Sequence, residues 1–194
     1  MKYILDFDDT IFDAKKLKTI LAKCGISEDA VSETIFDEIK KQIPDFDIQS
    51  LLFKDAYAFL KANKDNCEII TTYLSRDPAK NSDVTMRKAY QTKKIILTGI
   101  MDLLGVSHVH IVGASKTEVM KQLYNQFLQM GEKCVYVDDR PDYIAEAKEV
   151  GIRGYLMKRG SGMSFENVGI PIERYVVHSF QGFTERVAHD FEQE

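Results

Sequence analysis

Leu5-Asp6-Phe7-Asp8-Asp9-Thr10, directly behind Tyr3 and Ile4, is the stretch that decides how this chain folds. A short apolar run that ends abruptly in acids reads as a buried strand with polar groups at its carboxyl end. Two other runs end the same way. Cys67-Glu68-Ile69-Ile70 leads into Thr71-Thr72, and Lys133-Cys134-Val135-Tyr136-Val137 leads into Asp138-Asp139. Val109-His110-Ile111-Val112, Gly154-Tyr155-Leu156-Met157 and Tyr175-Val176-Val177 are further strands.

Helical periodicity fills the intervals. Leu17, Ile20, Leu21 and Cys24 form one stripe that stops at Gly25. A second helix is expected to open at Ser27, where Glu28 and Asp29 suit the positive end of the dipole. It carries Val31, Ile35 and Ile39 and closes at Pro44. Others are expected from Ser50 to Ala62, from Asp83 to Leu104 with a break at Gly99, and from Lys116 to Met130. The last two run from Tyr143 to Val150 and from Phe180 to Phe191. Short apolar strands alternating with helices predict parallel strands joined by crossovers. The expected fold is α/β, a doubly wound, Rossmann-like and mainly parallel sheet flanked by helices. The strand-free stretch 12–47 reads as a small α-helical cap insert, leaving 1–11 and 48–194 as the core domain.

The 194 residues suit one sizeable domain with a modest insert. A formal net charge of −4 argues against a general nucleic-acid binder. The N-terminal apolar run is too short for a secretory signal, and no run approaches the roughly 18 residues of a membrane span. A cytoplasmic protein is expected. Cys24, Cys67 and Cys134 are widely scattered, which suits reduced, partly buried thiols rather than a zinc knuckle or a redox pair.

In open parallel sheets ligands bind at the carboxyl ends of the strands. A parallel sheet therefore brings Asp6, Asp8, Thr71, Thr72, Asp138 and Asp139 to one edge, although they are far apart in sequence. Packed carboxylates repel, so one must be protonated or a cation must join them. Magnesium takes oxygen ligands, often one or two carboxylates completed by water and substrate phosphate. Such a site would bind a small phosphorylated substrate. Asp6 and Asp8, at i and i+2 of an extended segment, point to the same side. One can attack phosphorus while the other handles a proton. Phosphoryl transfer also needs a protein cation. Lys116 fits, because Ser115-Lys116-Thr117-Glu118 has the form of a capping box that puts it in the first turn of a helix. Lys15, Lys16 and Lys18 read as a solvated helix face. His108 and His110, without a neighbouring Cys or acid in sequence, read as ordinary strand positions, and His178 and His189 have no evident partner. Arg159-Gly160-Ser161-Gly162 is a flexible loop signal and a weak phosphate loop.

These residues, in this order, resemble the haloacid dehalogenase superfamily. Its Asp-x-Asp-x-Thr signature is similar to Asp6-Phe7-Asp8-Asp9-Thr10, and its strand ending in Thr or Ser to Ile69-Ile70-Thr71-Thr72. Its lysine near a helix start looks like Lys116, and its acidic pair like Tyr136-Val137-Asp138-Asp139. The resemblance implies Asp6 as nucleophile, forming an aspartyl-phosphate, and Asp8 as acid and then base. It implies Mg2+ held by the Asp6 carboxylate, the Asp8 backbone carbonyl and Asp139, with Asp138 supporting the metal shell. One of Thr71 and Thr72 would hydrogen-bond the phosphoryl group, with the reading leaning to Thr72. Asp8 separates phosphoryl chemistry from the carbon–halogen branch, which typically lacks that second acid. Two departures stand out. Tyr143 occupies a position where many members carry Asp or Asn, and Arg140 one where a small residue is commoner.

The implied activity is a magnesium-dependent phosphatase. A mutase or a phosphonate-cleaving enzyme would keep the same nucleophile, and a catalytically idle binding protein would keep the same scaffold. A phospho-aspartate receiver module fits less well, because its phosphorylated Asp stands between the acidic pair and the Thr.

Overall fold

In a computed structural model of the chain, residues 1–27, 32–81, 83–159 and 175–192 are described. Among them six strands form one sheet: β1 (Lys2–Leu5), β2 (Cys67–Thr72), β3 (Val109–Val112), β4 (Cys134–Asp138), β5 (Arg153–Met157) and β6 (Val176–Val177). The order is β3-β2-β1-β4-β5-β6 and every pairing is parallel. The chain winds outward from β1 through β2 and β3, then returns to its other side for β4, β5 and β6. That makes the gap between β1 and β4 the topological switch point, where an open α/β sheet offers a crevice.

The helices are α1 (Ala14–Lys23), α2 (Ile35–Gln42), α3 (Lys54–Ala62), α4 (Val84–Leu97), α5 (Ile100–Leu104), α6 (Thr117–Gln129), α7 (Pro141–Val150) and α8 (Phe180–Glu192). Strand alternation sorts the core into two layers. Leu5, Ile69, Val137 and Tyr155 face a cluster that includes Ala56, Ile95, Phe180 and Phe183. Ile4, Ile70, Tyr136 and Leu156 face Met120, Leu123, Phe127 and Ile144 on the other side. Helices α4 and α6 thus cover opposite faces of the sheet.

The long helix expected from Asp83 to Leu104 is broken where the glycine predicts. Gly99, at φ 74°, separates α4 from α5. The helix expected from Ser50 is shorter. Ile48–Leu51 forms a 3-10 turn capped by Asp47, and α3 starts at Lys54. The second helix starts at Ile35, and Glu28, Asp29 and Val31, part of its expected first turns, lie outside the described residues. Gly160, Ser161 and Gly162 also lie outside them.

Helices α1 and α2, the first two after β1, pack directly on the main cluster. Leu17, Leu21, Ile35, Phe36 and Ile39 join Leu5 and Phe7 in it. Phe36 stacks on Tyr90 of α4, with ring centroids 5.5 Å apart and planes 4° from parallel. Cys24, Cys67 and Cys134 are free thiols. No helix among the described residues is long and apolar enough to cross a membrane.

One position tests the packing of α7 on the sheet. A Cβ at Gly154 of β5 would lie 2.9 Å from Ile144 Cγ2 and 3.5 Å from Ile144 Cα. Gly154→Ala must push the helix away, and is expected to cost about 1–3 kcal/mol. For a domain of this size that lowers Tm by roughly 2–12 °C. An unchanged melting curve would mean that α7 does not approach the sheet so closely.

Candidate active site

The chain leaves β1 at Leu5, and the Asp6 backbone N–H donates to Val137 O of β4 at 2.8 Å. The nucleophile candidate is therefore stitched across the switch point. Behind it the chain doubles back. The N–H groups of Ile11 and Phe12 both donate to Phe7 O at 2.9 Å, and Asp9 takes a left-handed φ of 56°. Aspartate tolerates that region better than most residues. The loop is anchored from outside by Arg159, whose Nε donates to Thr10 O at 2.8 Å while Nη1 pairs with Asp55 at 3.0 Å.

The Lys116 ammonium is buried between two carboxylates. It donates to Asp6 Oδ1 at 2.5 Å, to Asp138 Oδ2 at 2.7 Å and to the Tyr136 hydroxyl at 3.1 Å. Tyr136 in turn donates to Asp138 Oδ2, and the Arg140 N–H donates to Asp138 Oδ1 at 2.9 Å. The expected capping box is not formed. Lys116 is itself the N-cap of α6, in a right-handed helical conformation and with no cap bond from its own side chain, while Ser115 Oγ accepts only from the Thr117 N–H, at 3.3 Å. Thr117 Oγ1 donates to Glu146 of α7 at 2.9 Å. Standing one residue before the helix, Lys116 turns its side chain inward beneath Tyr143, whose ring centroid is 4.4 Å from Nζ.

Asp6, Asp138 and Asp139 can each offer an oxygen such that the donor atoms all lie within 4.8 Å of one another, the one such group among the described residues. The Asp139 carboxyl makes no hydrogen bond within the described residues. Burial first, and then the charges of Asp6 and Asp138, pushes it up to about 9. Burial likewise raises Asp6 to about 7, against the pull of Lys116. Lys116 lies above the ordinary lysine value because the two carboxylates outweigh its own burial. One ammonium thus does not balance three acids. A hard divalent cation with oxygen ligands fits the donor set.

The sign of the resulting pH dependence follows from these shifts. Folded Asp6 and Asp139 hold protons that the unfolded chain, with ordinary carboxylates near 4, releases. The metal-free protein should therefore lose stability as pH rises from about 5 to about 9. A divalent cation such as magnesium, if bound by these carboxylates, would replace those protons, so its stabilisation should grow over the same window. At roughly a hundredfold excess over its dissociation constant the gain is about 2.7 kcal/mol, or roughly 5–10 °C in Tm. Thermal melts with magnesium or EDTA at pH 5.5 and pH 8 check this. An equal shift at both pH values would contradict it.

A cavity of about 420 Å³ opens above these groups. Asp6, Asp8, Asp9, Thr71, Thr72 and Asp139 line its floor, while Leu17, Lys18 and Leu21 of α1 and Arg87, Tyr90, Gln91 and Lys94 of α4 form its walls. Lys15, Lys16 and Lys18 lie on an exposed face as expected, with Lys18 reaching the rim. A second cavity of about 580 Å³, between α6, α7 and α8, is larger but holds no such carboxylate group. Size alone does not locate the site.

Three features escape the sequence. First, Asp6 and Asp8 open on the same cavity but take different partners. The strand ends before them, and Asp8 turns to α4. Second, Lys94 donates to both Asp8 oxygens, at 2.6 and 2.8 Å, and Gln91 Nε2 donates to Asp8 Oδ2 at 2.9 Å and to Thr71 Oγ1 at 2.7 Å. The available signal was a pair of polar residues at i and i+3 on the same buried face as Ile95. Third, Glu68 of β2 lies between the two strand histidines, 2.8 Å from His108 Nδ1 and 3.0 Å from His110 Nε2. Their acidic partner is distant in sequence and adjacent in the sheet. His178 and His189 also have neighbours, Lys158 O and Asp190.

Thr71 and Thr72 point to opposite faces. Thr71 is buried on the α4 side and takes the Gln91 bond, while Thr72 is half-buried and carries the parity of Asp6. Tyr143 is buried, donates to Ala114 O at 3.0 Å and roofs Lys116. Arg140 pairs with Asp142 at 2.6 Å and lies over the same ring.

Among solved structures, the chain is similar to a haloacid dehalogenase-like hydrolase from Burkholderia xenovorans, at 18% identity, 96% of each chain and a TM-score of 0.63. It is similar to D,D-heptose 1,7-bisphosphate phosphatase from B. bronchiseptica, complexed with magnesium and phosphate, at 14% identity, 98% of this chain, 99% of that one and a TM-score of 0.57. A haloacid dehalogenase-like family hydrolase from Xanthomonas campestris gives 13% identity, 97% of this chain, 95% of that one and a TM-score of 0.54. No family model matches the sequence, and neither does any curated protein. The chain has the haloacid dehalogenase-like fold, an open, all-parallel α/β sheet among the described residues.

Proposed function

We propose that this protein is a magnesium-dependent phosphatase that hydrolyses a small phosphate monoester through an aspartyl-phosphate at Asp6. The observation that carries the reading is Asp6 itself. Its carboxylate lies at the switch point, bonded to a buried lysine and within reach of Asp138 and Asp139, on the floor of a cavity. The cavity volume of about 420 Å³ falls near the small end of the roughly 300–1,000 Å³ typical of ligand pockets, which supports a metabolite-sized substrate.

Asp6, Asp139 and the Asp8 backbone carbonyl would hold the metal, with Asp138 behind them. When bound, magnesium would neutralise charge on the transferring phosphoryl oxygens. The free Asp6 oxygen attacks phosphorus, forming an acyl-phosphate bond as the bond to the leaving oxygen breaks. Asp8 gives a proton to that oxygen, then takes one from the water that attacks phosphorus and regenerates the Asp6 carboxylate. Lys116 holds Asp6 in place through its first oxygen and supplies fixed positive charge. Thr72, on the Asp6 side of β2, is suited to hydrogen-bond the phosphoryl group. The α1 helix walls one side of the cavity and so bears on which leaving groups enter.

Phosphate release from an aryl phosphate and a panel of phosphorylated metabolites, with magnesium and with EDTA, tests the proposal. Release that requires magnesium supports it. Transfer of the phosphoryl group to another hydroxyl, on the same or a second substrate molecule and without free phosphate, would favour a mutase or phosphotransferase instead. Release that is indifferent to metal would sink the reading.

A further inference from the structure

The two catalytic acids are each held by a lysine, and the lysines come from opposite faces of the sheet. Lys116, before α6, serves Asp6. Lys94, on α4, serves Asp8 with bonds to both of its oxygens. Lys94 is buried, and its ammonium lies 5.4–5.6 Å from the ring centroids of Phe7, Phe12 and Tyr90. A buried lysine is costly unless paired, and Asp8 is the carboxylate it meets. Gln91 adds a third bond to Asp8, and its other N–H donates to Thr71. Both amide protons are thereby committed, which leaves the Gln91 side chain one orientation. The Asp8 carboxylate cannot rotate without breaking bonds to two residues of a fourteen-residue helix.

We propose that Lys94 and Gln91 are positioning residues that aim the Asp8 carboxyl group at the leaving oxygen, so that α4 sets how well the protein cleaves esters whose leaving group needs a proton. The inference rests on the phosphatase reading. An alkoxide cannot depart without a proton, whereas a nitrophenolate can. A correctly aimed general acid contributes about 10²–10⁴-fold to the first case and little to the second. A purely structural lysine would affect both esters alike.

Lys94→Met suits the test. The methionine thioether packs well among aromatic rings, and Asp8, with a third of its side chain exposed, keeps contact with water. The parent and variant would be compared on nitrophenyl phosphate and on an alkyl phosphate, with magnesium present. The ratio of kcat on the alkyl ester to kcat on the aryl ester is expected to fall about tenfold or more, with KM moving by less than about threefold. Lys94→Arg, which can bind a carboxylate through two N–H groups, should restore part of the ratio, and Gln91→Met should lower it in the same direction. Equal losses on both esters, or none, would overturn the positioning role while leaving the phosphatase reading intact. Failure of the parent to release phosphate from either ester would overturn that reading, and the positioning role with it.

Discussion

Asp6→Asn is expected to abolish turnover, by about a thousandfold or more, without unfolding the protein. The amide is nearly isosteric but cannot form an acyl phosphate, and loss of a nucleophile is among the most damaging single changes known in enzymes. The fold should survive, because Lys116 keeps its bonds to Asp138 and Tyr136. Removing a carboxyl group that burial and its acidic neighbours push up to about 7 also relieves repulsion at neutral pH. The variant's Tm at pH 8 should therefore equal or exceed that of the parent. Steady-state phosphate release together with a melting curve checks both halves. Full activity in Asp6→Asn would end the nucleophile assignment, and loss of activity with loss of folding would leave the change structural.

Lys116→Met should do the opposite, costing stability as well as activity. The ammonium separates Asp6 from Asp138, and both pairs are buried. Removing one partner of a buried ion pair typically costs about 3–5 kcal/mol. That is a fall in Tm of roughly 6–20 °C. The sign of its pH dependence is fixed by which groups titrate. Lys116 lies above the ordinary lysine value, so its charge, and the stability it contributes, is constant below about 10. In the variant the carboxylates face one another without a cation and can relax by taking up protons. The destabilisation should accordingly be small near pH 5 and grow towards pH 8, with magnesium recovering part of it. A deficit equal at all pH values would mean that lost packing against Tyr136 and Tyr143, rather than charge, dominates.

Much of this was legible in the sequence because strand ends are local features. The apolar run through Leu5 needs no knowledge of its neighbours to be read as a strand, nor does Asp6 to be placed at its end. The glycine at 99 broke a helix because its φ of 74° is available to few other residues. What was not legible depends on pairs remote in the chain. Lys94 belongs to no motif in the sequence, and only its burial beside Phe7 and Phe12 reveals a partner for Asp8. His108 and His110 lacked a visible acid because Glu68 is 40 and 42 residues away. The capping box at Ser115 failed for a related reason. Local pattern favours Thr117 and Glu118 closing on the helix, but Thr117 is drawn to Glu146 and Lys116 to the acids below. Long-range charge outweighed a local cap.

The proposed mechanism requires a covalent bond between Asp6 and phosphorus, and that bond can be trapped. Turnover of the best ester from the panel, quenched in acid and treated with borohydride, reduces an acyl phosphate to an alcohol and converts the aspartate that carried it to homoserine. Mass spectrometry of the N-terminal peptide should find homoserine at position 6, dependent on substrate and magnesium, and none at Asp8, Asp138 or Asp139. Steady phosphate release with an unmodified Asp6, or with the label on another carboxylate, would contradict the mechanism.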